Sequence, residues 1–343
     1  MTTTSLDFYL PNELNATHPP ERRGVRRDQV KMMVLDRETG HIIHDKFSQI
    51  TDFLKAGDLL ILNNSRTIPA IFKISWERRG TILKKQVEVR LARRRGDSVW
   101  DVLVVKENLK AGDILYFSDR LTASVKGPAI NNPKLRTLIF SLSGIELFHQ
   151  LYSLGEPVRY EYIHHPWDLD YYQTVFASTP GSVEMPSAGR AFSWELLFNL
   201  QRKGVQIDFI QLHTGLSYMF DEDKLPSPED NYEEYSINQE TMTKISTTKA
   251  NGGRVIAVGT TVVRALETAS KKGVLQGWTN LYIQKGYRLE IVDGIITGFH
   301  EPKASHLDML TAFVEERHIL NAYRKAIEHE YLWHEFGDMN LIV

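Results

Sequence analysis

Residues 253–267 encode a strand, a tight turn and a helix in direct succession. The apolar run Val255–Val258 predicts a short buried strand. Gly259 permits a tight turn where a side chain would obstruct a ligand, and we expect Thr260 or Thr261 to cap the following helix. Such a turn directs unpaired backbone N–H groups and a helix N-terminus at one point, which suits an anionic group. The alternative is an ordinary connection between a strand and a helix.

A second turn of this kind precedes a predicted helix at residues 193–203. Residues 180–189 read Pro-Gly-Ser-Val-Glu-Met-Pro-Ser-Ala-Gly, a composition that interrupts regular structure and exposes backbone. A predicted strand at 205–212 follows the helix and is succeeded by His213. Two such turns in one α/β region favour a small-molecule site at the carboxyl end of a sheet.

Composition limits the classes of protein that this chain can represent. The 343 residues are enough for two domains. The 41 basic and 43 acidic residues give a formal charge of −2, which excludes a strongly basic nucleic-acid coating protein but not a local basic patch. Without cysteine, disulfides, thiolate zinc sites and cysteine nucleophiles are excluded. With no signal-peptide pattern and only short apolar runs, we expect a soluble, cytoplasmic protein without membrane contact.

The pattern between residues 68 and 140 is almost entirely that of short strands. These predicted strands are separated by Gly, Asp or Pro and lie at 87–91, 99–105, 114–117, 121–125 and 135–140. Such a series predicts a small antiparallel β-barrel. The string Lys-Ala-Gly-Asp precedes a strand at 55–58 and again at 110–113, which we interpret as one turn used twice. The predicted fold is α/β: a mixed α/β domain (1–66 and 143–343) with an inserted barrel domain (67–142).

Strings along nearly the whole chain resemble one known family. They lie at 7–14, 62–70, 172–177, 186–189, 255–267, 277–279 and 299–303. Their order and spacing are similar to those of the S-adenosylmethionine:tRNA ribosyltransferase-isomerases of queuosine biosynthesis. The resemblance implies an α/β domain with a β-barrel, S-adenosylmethionine as co-substrate and tRNA as partner.

The chemistry that this resemblance implies is a transfer of ribose rather than of methyl. The ribosyl moiety of S-adenosylmethionine moves to a 7-aminomethyl-7-deazaguanine base in tRNA and rearranges, which gives epoxyqueuosine, adenine and methionine. The sulfonium acidifies the neighbouring 5′ carbon, so that a base can remove a proton there. Such a site needs a proton acceptor, an acid for adenine and donors for the methionine carboxylate, but no metal.

The resemblance also implies a set of residues that bind S-adenosylmethionine. They are Asn63, Ser65, Arg66, Ser187, Ala188, Gly189, Gly259, Thr260, Thr261 and Arg264. Arg264 lies one turn into its helix, where it could pair with the methionine carboxylate; the alternative is a surface ion pair. For Asn63, Ser65 and Arg66 the alternative is simple hydrogen bonding of the junction with the barrel.

Four residues are candidates for catalysis. His213 follows a strand that faces the predicted cleft, although a buried, hydrogen-bonded histidine would fit the same pattern. His300 and Lys303 lie in a loop after a strand, where Lys303 could equally be solvated. Glu234 occupies the position of a glutamate in the family pattern.

Several departures from the family pattern leave other functions open. Where the family usually has Thr-Ala-Gly-Leu-His-Phe, residues 187–192 read Ser-Ala-Gly-Arg-Ala-Phe, and two further histidines after His213 are missing. Glu301 and His306 replace apolar residues, and residues 221–234 carry seven carboxylates that would repel RNA. The alternatives are a paralogue with another acceptor or a non-catalytic protein that binds S-adenosylmethionine or RNA.

Histidine spacing gives no support for a metal site. His329 and His334 are five residues apart, which places them on different faces of a helix, whereas zinc-binding pairs are four apart. His164 and His165 are adjacent and point apart in most backbones. We therefore predict no metal.

Overall fold

The computed structural model describes residues 6–130, 132–217 and 231–343, within which there are six α-helices and seventeen strands. The helices are α1 (Gly144–Leu154), α2 (Trp194–Arg202), α3 (Gln239–Ala250), α4 (Thr260–Lys272), α5 (Ser305–Leu310) and α6 (Glu316–Glu328). The strands are β1 (Lys31–Leu35), β2 (Ile42–Lys46), β3 (Leu59–Asn63), β4 (Ser65–Thr67), β5 (Ile71–Arg78), β6 (Thr81–Arg94), β7 (Val99–Val104), β8 (Ile114–Tyr116), β9 (Thr122–Ala129), β10 (Asn132–Phe140), β11 (Thr179–Ser182), β12 (Gln206–Leu212), β13 (Glu233–Ser236), β14 (Val255–Val258), β15 (Gln276–Thr279), β16 (Gly294–Gly298) and β17 (Met339–Ile342).

Nine of the strands form one mixed sheet in the order β15-β13-β12-β3-β14-β16-β17-β1-β2. Its centre, β12-β3-β14-β16, is parallel, whereas β17 runs antiparallel to β16 and parallel to β1. β3 is buried on both faces: Leu59 and Ile61 belong to the core that includes residues of α3, α4 and α6, and Leu60 and Leu62 belong to the core that includes residues of α2. Helices on both faces explain why the parallel strands are apolar runs rather than alternating ones.

Six strands, β10-β7-β6-β5-β8-β9, close into an antiparallel barrel. Its core includes the fully buried Trp100, Leu115 and Leu138. A mixed α/β fold with an antiparallel barrel is therefore confirmed. The barrel strands lie within Ile71–Phe140, and the predicted domain boundaries after residues 66 and 142 stay a prediction.

The repeated Lys-Ala-Gly-Asp turn has the same geometry in both places. The Asp58 carboxylate accepts the Lys55 N–H at 2.8 Å, and the Asp113 carboxylate accepts the Lys110 N–H at 2.8 Å. In each turn the glycine has φ of +90°, a conformation that side chains disfavour. The interpretation of one turn used twice is confirmed.

The barrel approaches the sheet closely after β12. The Leu216 N–H donates to the Ala92 carbonyl of β6 at 2.9 Å. A Cβ atom on Gly215 would lie 2.9 Å from the same carbonyl oxygen. Only glycine fits at this contact, which fixes how near the barrel comes to the carboxyl edge of the sheet.

Candidate active site

The carboxyl ends of four parallel strands meet at one edge of the sheet. β3 ends at Asn63, β12 at Leu212, β14 at Val258 and β16 at Gly298. Open parallel sheets bind ligands outside this edge. Most of the residues that the sequence singles out follow one of these four strand ends.

The two turns singled out in the sequence lie side by side at this edge. Ser187–Gly189 forms a single 3-10 turn, and Gly259 has φ of +93°. A Cβ atom on Gly259 would lie 3.3 Å from the Cβ atom of Ala188. Glycine is therefore required both by its backbone conformation and by the closeness of the second turn.

The N-terminus of α4 opens onto the same place. The predicted threonine cap is wrong: Gly259 is the N-cap residue, and Thr260 is already the first helical residue. The Gly259 N–H donates to the Ile296 carbonyl at 2.8 Å. The next two N–H groups, of Thr260 and Thr261, have no acceptor among the described residues. These N–H groups and the positive end of the helix dipole favour an anionic ligand group.

His213 is the centre of a buried hydrogen-bonded chain. Its Nδ1 atom is 2.7 Å from Ser65 Oγ, and its Nε2 atom is 2.6 Å from Gln211 Nε2. Ser65 Oγ is in turn 2.6 Å from Ser182 Oγ, which accepts the Thr214 N–H at 3.1 Å. Burial, with a smaller contribution from the positive charge of nearby Arg94, lowers the pKa of His213 to about 4.

The partners of His213 determine where its proton lies. An amide nitrogen only donates, so Nε2 of His213 accepts from Gln211. Nδ1 therefore carries the hydrogen and donates to Ser65 Oγ. Both ring nitrogens are occupied and the ring is uncharged at neutral pH, which favours the buried, hydrogen-bonded alternative over a proton acceptor.

Asn63, Ser65 and Arg66 occupy the passage from β3 into the barrel. Asn63 donates through Nδ2 to the Leu212 carbonyl at 2.8 Å and accepts the Leu212 N–H at 3.0 Å. It thereby joins the ends of β3 and β12. Arg66 is exposed, with its guanidinium 6.0 Å from the centre of the Tyr152 ring.

Arg264 is paired within the protein. Its guanidinium forms a short ion pair with Glu233 and donates to the Leu281 carbonyl at 3.1 Å. The Glu233 carboxylate also accepts the Gly215 N–H at 3.2 Å. The ion pair is largely buried, whereas the alternative that the sequence left open was a pair at the surface. Glu234 is the next residue of β13, and its carbonyl accepts the His213 N–H at 3.0 Å.

The loop after β16 places its two candidate catalytic residues, His300 and Lys303, in different environments. His300 stacks on His306 with 4.5 Å between ring centres, and His300 Nε2 is 3.0 Å from Thr297 Oγ1. Burial lowers the pKa of His300 well below its usual value, and the nearby His306 adds to this effect. Lys303 instead points outward and pairs with Asp7 at 3.0 Å, and both side chains are more than half exposed.

The sequence did not reveal several polar residues beside these turns. Glu301 accepts from His334 Nδ1 at 2.9 Å. Although burial raises the pKa of Glu301, the hydrogen bond and charge of His334 outweigh it and bring the pKa to about 2. Arg190 is buried, donates to the Tyr171 carbonyl at 2.8 Å and pairs with Glu21 at 2.8 Å. The departures of residues 190 and 301 from the family pattern were the only signals.

The described part of the chain contains neither a group of side chains placed to hold a metal ion nor a helix suited to cross a membrane. No three His, Asp or Glu side chains among residues 6–130, 132–217 and 231–343 are grouped so that they could hold a metal ion. The expected absence of a metal stays a prediction. None of the helices in the same ranges is both long and apolar enough to cross a bilayer. Most of the acidic segment at 221–234 lies outside the described residues.

Comparison with known proteins assigns this architecture. Residues 3–342 match the family described as queuosine biosynthesis protein. The crystal structure of S-adenosylmethionine tRNA ribosyltransferase from Thermotoga maritima is similar, with 30% sequence identity over 98% of this chain and 99% of that chain and a TM-score of 0.55. With the site at the sheet edge, this similarity identifies the protein as a transferase enzyme. The chain belongs to the queuosine biosynthesis protein family, as its sequence strings predicted.

Proposed function

We propose that the protein transfers the ribosyl moiety of S-adenosylmethionine to a 7-aminomethyl-7-deazaguanine base in tRNA and isomerises it. The products are epoxyqueuosine in the tRNA, adenine and methionine. Family membership supports this reaction, as does the similarity to a ribosyltransferase over nearly the full length of both chains. A transferase also requires a site for a small co-substrate, and open parallel sheets bind ligands outside their carboxyl edge.

The observation that carries the proposal is the meeting of the two turns at the N-terminus of α4. The unpaired N–H groups of Thr260 and Thr261 suit the methionine carboxylate of S-adenosylmethionine. Ser187–Gly189 lies against this turn and would form the opposite wall of the same site. Arg264 is held by Glu233 and would act on the carboxylate only through its charge.

The reaction balances without a metal. A base removes a proton from the 5′ carbon next to the sulfonium, the ribose ring opens, and adenine departs with a proton from an acid. The vinyl sulfonium that remains is attacked by the amine of the acceptor base. The carbon beside the sulfonium then adds to the aldehyde that the loss of adenine leaves at C1′, which closes the five-membered carbon ring, and the resulting alkoxide displaces methionine as the neutral thioether to form the epoxide.

We assign the proton acceptor to His300 among the four candidates. His213 has both ring nitrogens occupied, and Lys303 is exposed and ion-paired. His300 is uncharged, and only its Nε2 atom has a hydrogen-bond partner among the described residues. With its hydrogen on Nε2 and donated to Thr297 Oγ1, His300 would have Nδ1 available to a substrate proton.

The tRNA would reach this edge from the barrel side. Arg66 is exposed at the passage into the barrel and would contact a phosphate. Asn63 and Ser65, both buried, would shape the edge through their hydrogen bonds without touching the RNA.

A paralogue with another amine as acceptor is the second candidate. The pair of Arg190 with Glu21 favours it, because the buried Arg190 side chain lines the same small cavity as Ala191 and Ser187 of the proposed site. The S-adenosylmethionine chemistry would be unchanged, and only the identity of the acceptor would differ.

The test is to incubate the protein with S-adenosylmethionine, with and without tRNA that carries the aminomethyl base. Mass spectrometry would follow adenine, methionine and the modified nucleoside. We expect epoxyqueuosine with the wild-type protein and its loss in His300→Gln, with S-adenosylmethionine binding retained. Lys303→Ala is the matched control and should remain active. Adenine release without modified tRNA would favour another acceptor, and no release despite binding would refute the proposed reaction.

A further inference from the structure

The barrel stands on the carboxyl edge of the sheet with one of its ends turned away from it. β3 leads into the barrel through β4, and the segment after β12 reaches Ala92 near the end of β6. Neighbouring barrel strands are antiparallel, so the turn between β5 and β6, the loop between β7 and β8 and the last residues of β9 all lie at the opposite end. We call this the outer end of the barrel.

The outer end carries positive charge that is not balanced by contacts within the described protein. Glu107 pairs with Lys84, Asp113 pairs with Arg78, and Glu77 accepts a tyrosine hydroxyl at 2.7 Å. Five further cations are exposed there, and their side chains have no ion pair or hydrogen bond with any described residue: Arg79, Lys85, Lys106, Lys110 and Lys126. We call these five the outer-end cations. They stand out in a chain whose formal charge is −2.

The other basic clusters of the chain are paired within the protein. Arg26 and Arg27, near the N-terminus, each pair with a carboxylate at 3.1 Å or less. Arg93 and Arg94, where β6 ends, each pair with an aspartate at 2.9 Å or less. These arginines therefore hold parts of the fold together, whereas the outer-end cations are available to an anion from outside.

Two of the outer-end cations occupy turn positions that disfavour a long side chain. Arg79 has φ of +51° and Lys106 has φ of +63°, in the left-handed region where glycine and asparagine are usual. Arg79 and Gly80 form the two-residue turn between β5 and β6, for which Asn-Gly is a favoured pair. Strained positions of this kind cluster at functional sites, so a cation at each of them points to a role in binding.

We propose that the outer-end cations bind the phosphate backbone of the tRNA, at a distance from the base that reacts. Lysine and arginine contacts with phosphates position a nucleic acid without reading its sequence. Lys85 and Ala92 lie roughly 23 Å apart along β6, at the usual rise of about 3.3 Å per residue. A small co-substrate at the carboxyl edge does not reach over that distance, whereas a folded RNA does. The inference rests on the proposed function, which supplies the tRNA.

An anionic membrane surface is the other polyanion that such cations attract. Apolar surface would have to enter the bilayer as well, because membrane affinity grows with the apolar area that is buried. At the start of β6 only Ile82 and Leu83 are available for this, and they are 44% and 48% exposed. Two half-exposed side chains supply little such area, so the outer end fits RNA better.

The two copies of the Lys-Ala-Gly-Asp turn provide a matched test. Lys110 lies in the copy at the outer end, whereas Lys55 lies in the copy before β3, at the opposite edge of the sheet, and both are exposed. Fluorescence anisotropy at several salt concentrations would give the affinity of the full-length protein for tRNA that carries the aminomethyl base. We expect Lys110→Ala to weaken binding roughly 3-fold and to reduce the salt dependence by about one phosphate contact. Lys55→Ala should bind like the wild-type protein.

The double variant Arg79→Asn with Lys106→Asn separates binding from folding. Asparagine suits both left-handed positions, so this variant should melt no lower than the wild-type protein. We expect its tRNA affinity to fall ~10-fold and its salt dependence to fall by about two phosphate contacts. Its affinity for S-adenosylmethionine in titration calorimetry should be unchanged, because the outer end lies outside the proposed site.

Equal effects of Lys110→Ala and Lys55→Ala would overturn the inference, since net charge alone would then explain them. A wild-type protein that does not bind tRNA would also overturn it. So would a double variant that keeps its tRNA affinity but no longer binds phosphatidylserine vesicles, which would assign the outer end to a membrane. If adenine is never released but the double variant still loses tRNA affinity, the proposed reaction fails and the RNA contact stands. If epoxyqueuosine forms and the double variant binds tRNA normally, only the inference fails.

Discussion

At the scale of single residues, burial determines what the polar groups of the site can do. His213 is uncharged and held at both ring nitrogens, whereas His300 keeps one ring nitrogen without a partner among the described residues. The missing Cβ of Gly181 makes room for the His213 ring, since a side chain there would come within 2.5 Å of it. The hydrogen-bonded serines around His213 thus hold the strand ends, and the proposed reaction therefore uses His300, in the loop after β16, as its proton acceptor.

His213 should make the protein sensitive to acid. Its pKa is about 4 in the folded protein and about 6.5 when unfolded, so the unfolded chain binds more protons between these values. Stability is therefore lost as pH falls from about 6.5 towards 4, by roughly 2–3 kcal/mol at pH 4.5. Urea unfolding at pH 7.5 and 4.5 should show a smaller difference for His213→Asn than for the wild-type protein. His149→Asn, at an exposed position, should keep the full difference.

Arg264→Met should cost stability as well as activity. The substitution leaves the buried Glu233 carboxylate without its partner, which we expect to lower the free energy of unfolding by about 3 kcal/mol. The double variant with Glu233→Gln should recover part of this loss, as measured by urea unfolding. Arg317→Ala removes an exposed pair with Glu315 and should change stability by less than about 1 kcal/mol. An unchanged stability for Arg264→Met would contradict the buried pair.

At the scale of elements, tight turns fix where strands and helices end. In each Lys-Ala-Gly-Asp turn the aspartate also pairs with a distant arginine, Asp58 with Arg254 at 2.6 Å and Asp113 with Arg78 at 2.8 Å. The same local chemistry thus anchors β3 of the sheet and β8 of the barrel. The turn before α4 uses glycine for a different purpose, because there the missing side chain brings two loops together.

Gly57→Ala and Gly112→Ala should destabilise the protein to a similar extent. Each glycine has φ of +90°, and an added Cβ would meet no atom within 4 Å, so only backbone strain contributes. We expect a loss of roughly 1–2 kcal/mol for each in urea unfolding. Gly96→Ala, where φ is not positive, should be close to neutral.

Gly259→Ala should lower the affinity for S-adenosylmethionine as well as the stability of the protein. It carries a backbone strain similar to that of Gly57→Ala, but its Cβ would also press on Ala188 at 3.3 Å. The two turns of the proposed site would move apart, so we expect S-adenosylmethionine affinity to fall at least ~10-fold. Gly57→Ala should bind normally. Equal affinities of the two variants in titration calorimetry would argue against a ligand between these turns.

These elements also show which features of the fold could be predicted from the sequence. The strand Val255–Val258, the helix at 194–202 and the repeated turn follow from local patterns, and the structure has them where they were predicted. The prediction of a threonine cap was wrong because the residue before α4 must be glycine for the turn at Ser187–Gly189 to approach. Capping propensity is local, whereas that approach depends on a loop about 70 residues earlier in the chain.

The pairing of the candidate residues could not be predicted for the same reason. Nothing near Arg264 in the sequence indicates Glu233 as its partner, because β13 and α4 meet only in the folded sheet. Glu335 likewise meets Tyr162 and Tyr172 from the far end of the chain. The sequence strings were sufficient to identify the family, whereas long-range packing determines which side chains are available to a ligand.

At the scale of the whole molecule, the barrel and the sheet contact each other closely at one glycine. Gly215 lies between β12 and the barrel, and its N–H donates to Glu233 at 3.2 Å. Gly215→Ala places a Cβ atom 2.9 Å from the Ala92 carbonyl and must displace backbone. We expect a lower melting temperature in calorimetry, whereas Gly96→Ala within the barrel should melt like the wild-type protein. An unchanged melting temperature would mean that the barrel adjusts freely.

The position of β17 has a consequence for biosynthesis. β17 lies between β16 and β1, and Met32 pairs with Met339. On the ribosome, β1 and β2 emerge first, yet they have no neighbour in the sheet until residues 339–342 have left the exit tunnel. Until then the apolar strand β1 pairs only with β2 and its other edge has no partner strand, so a chain that stalls before residue 339 would expose that edge to chaperones.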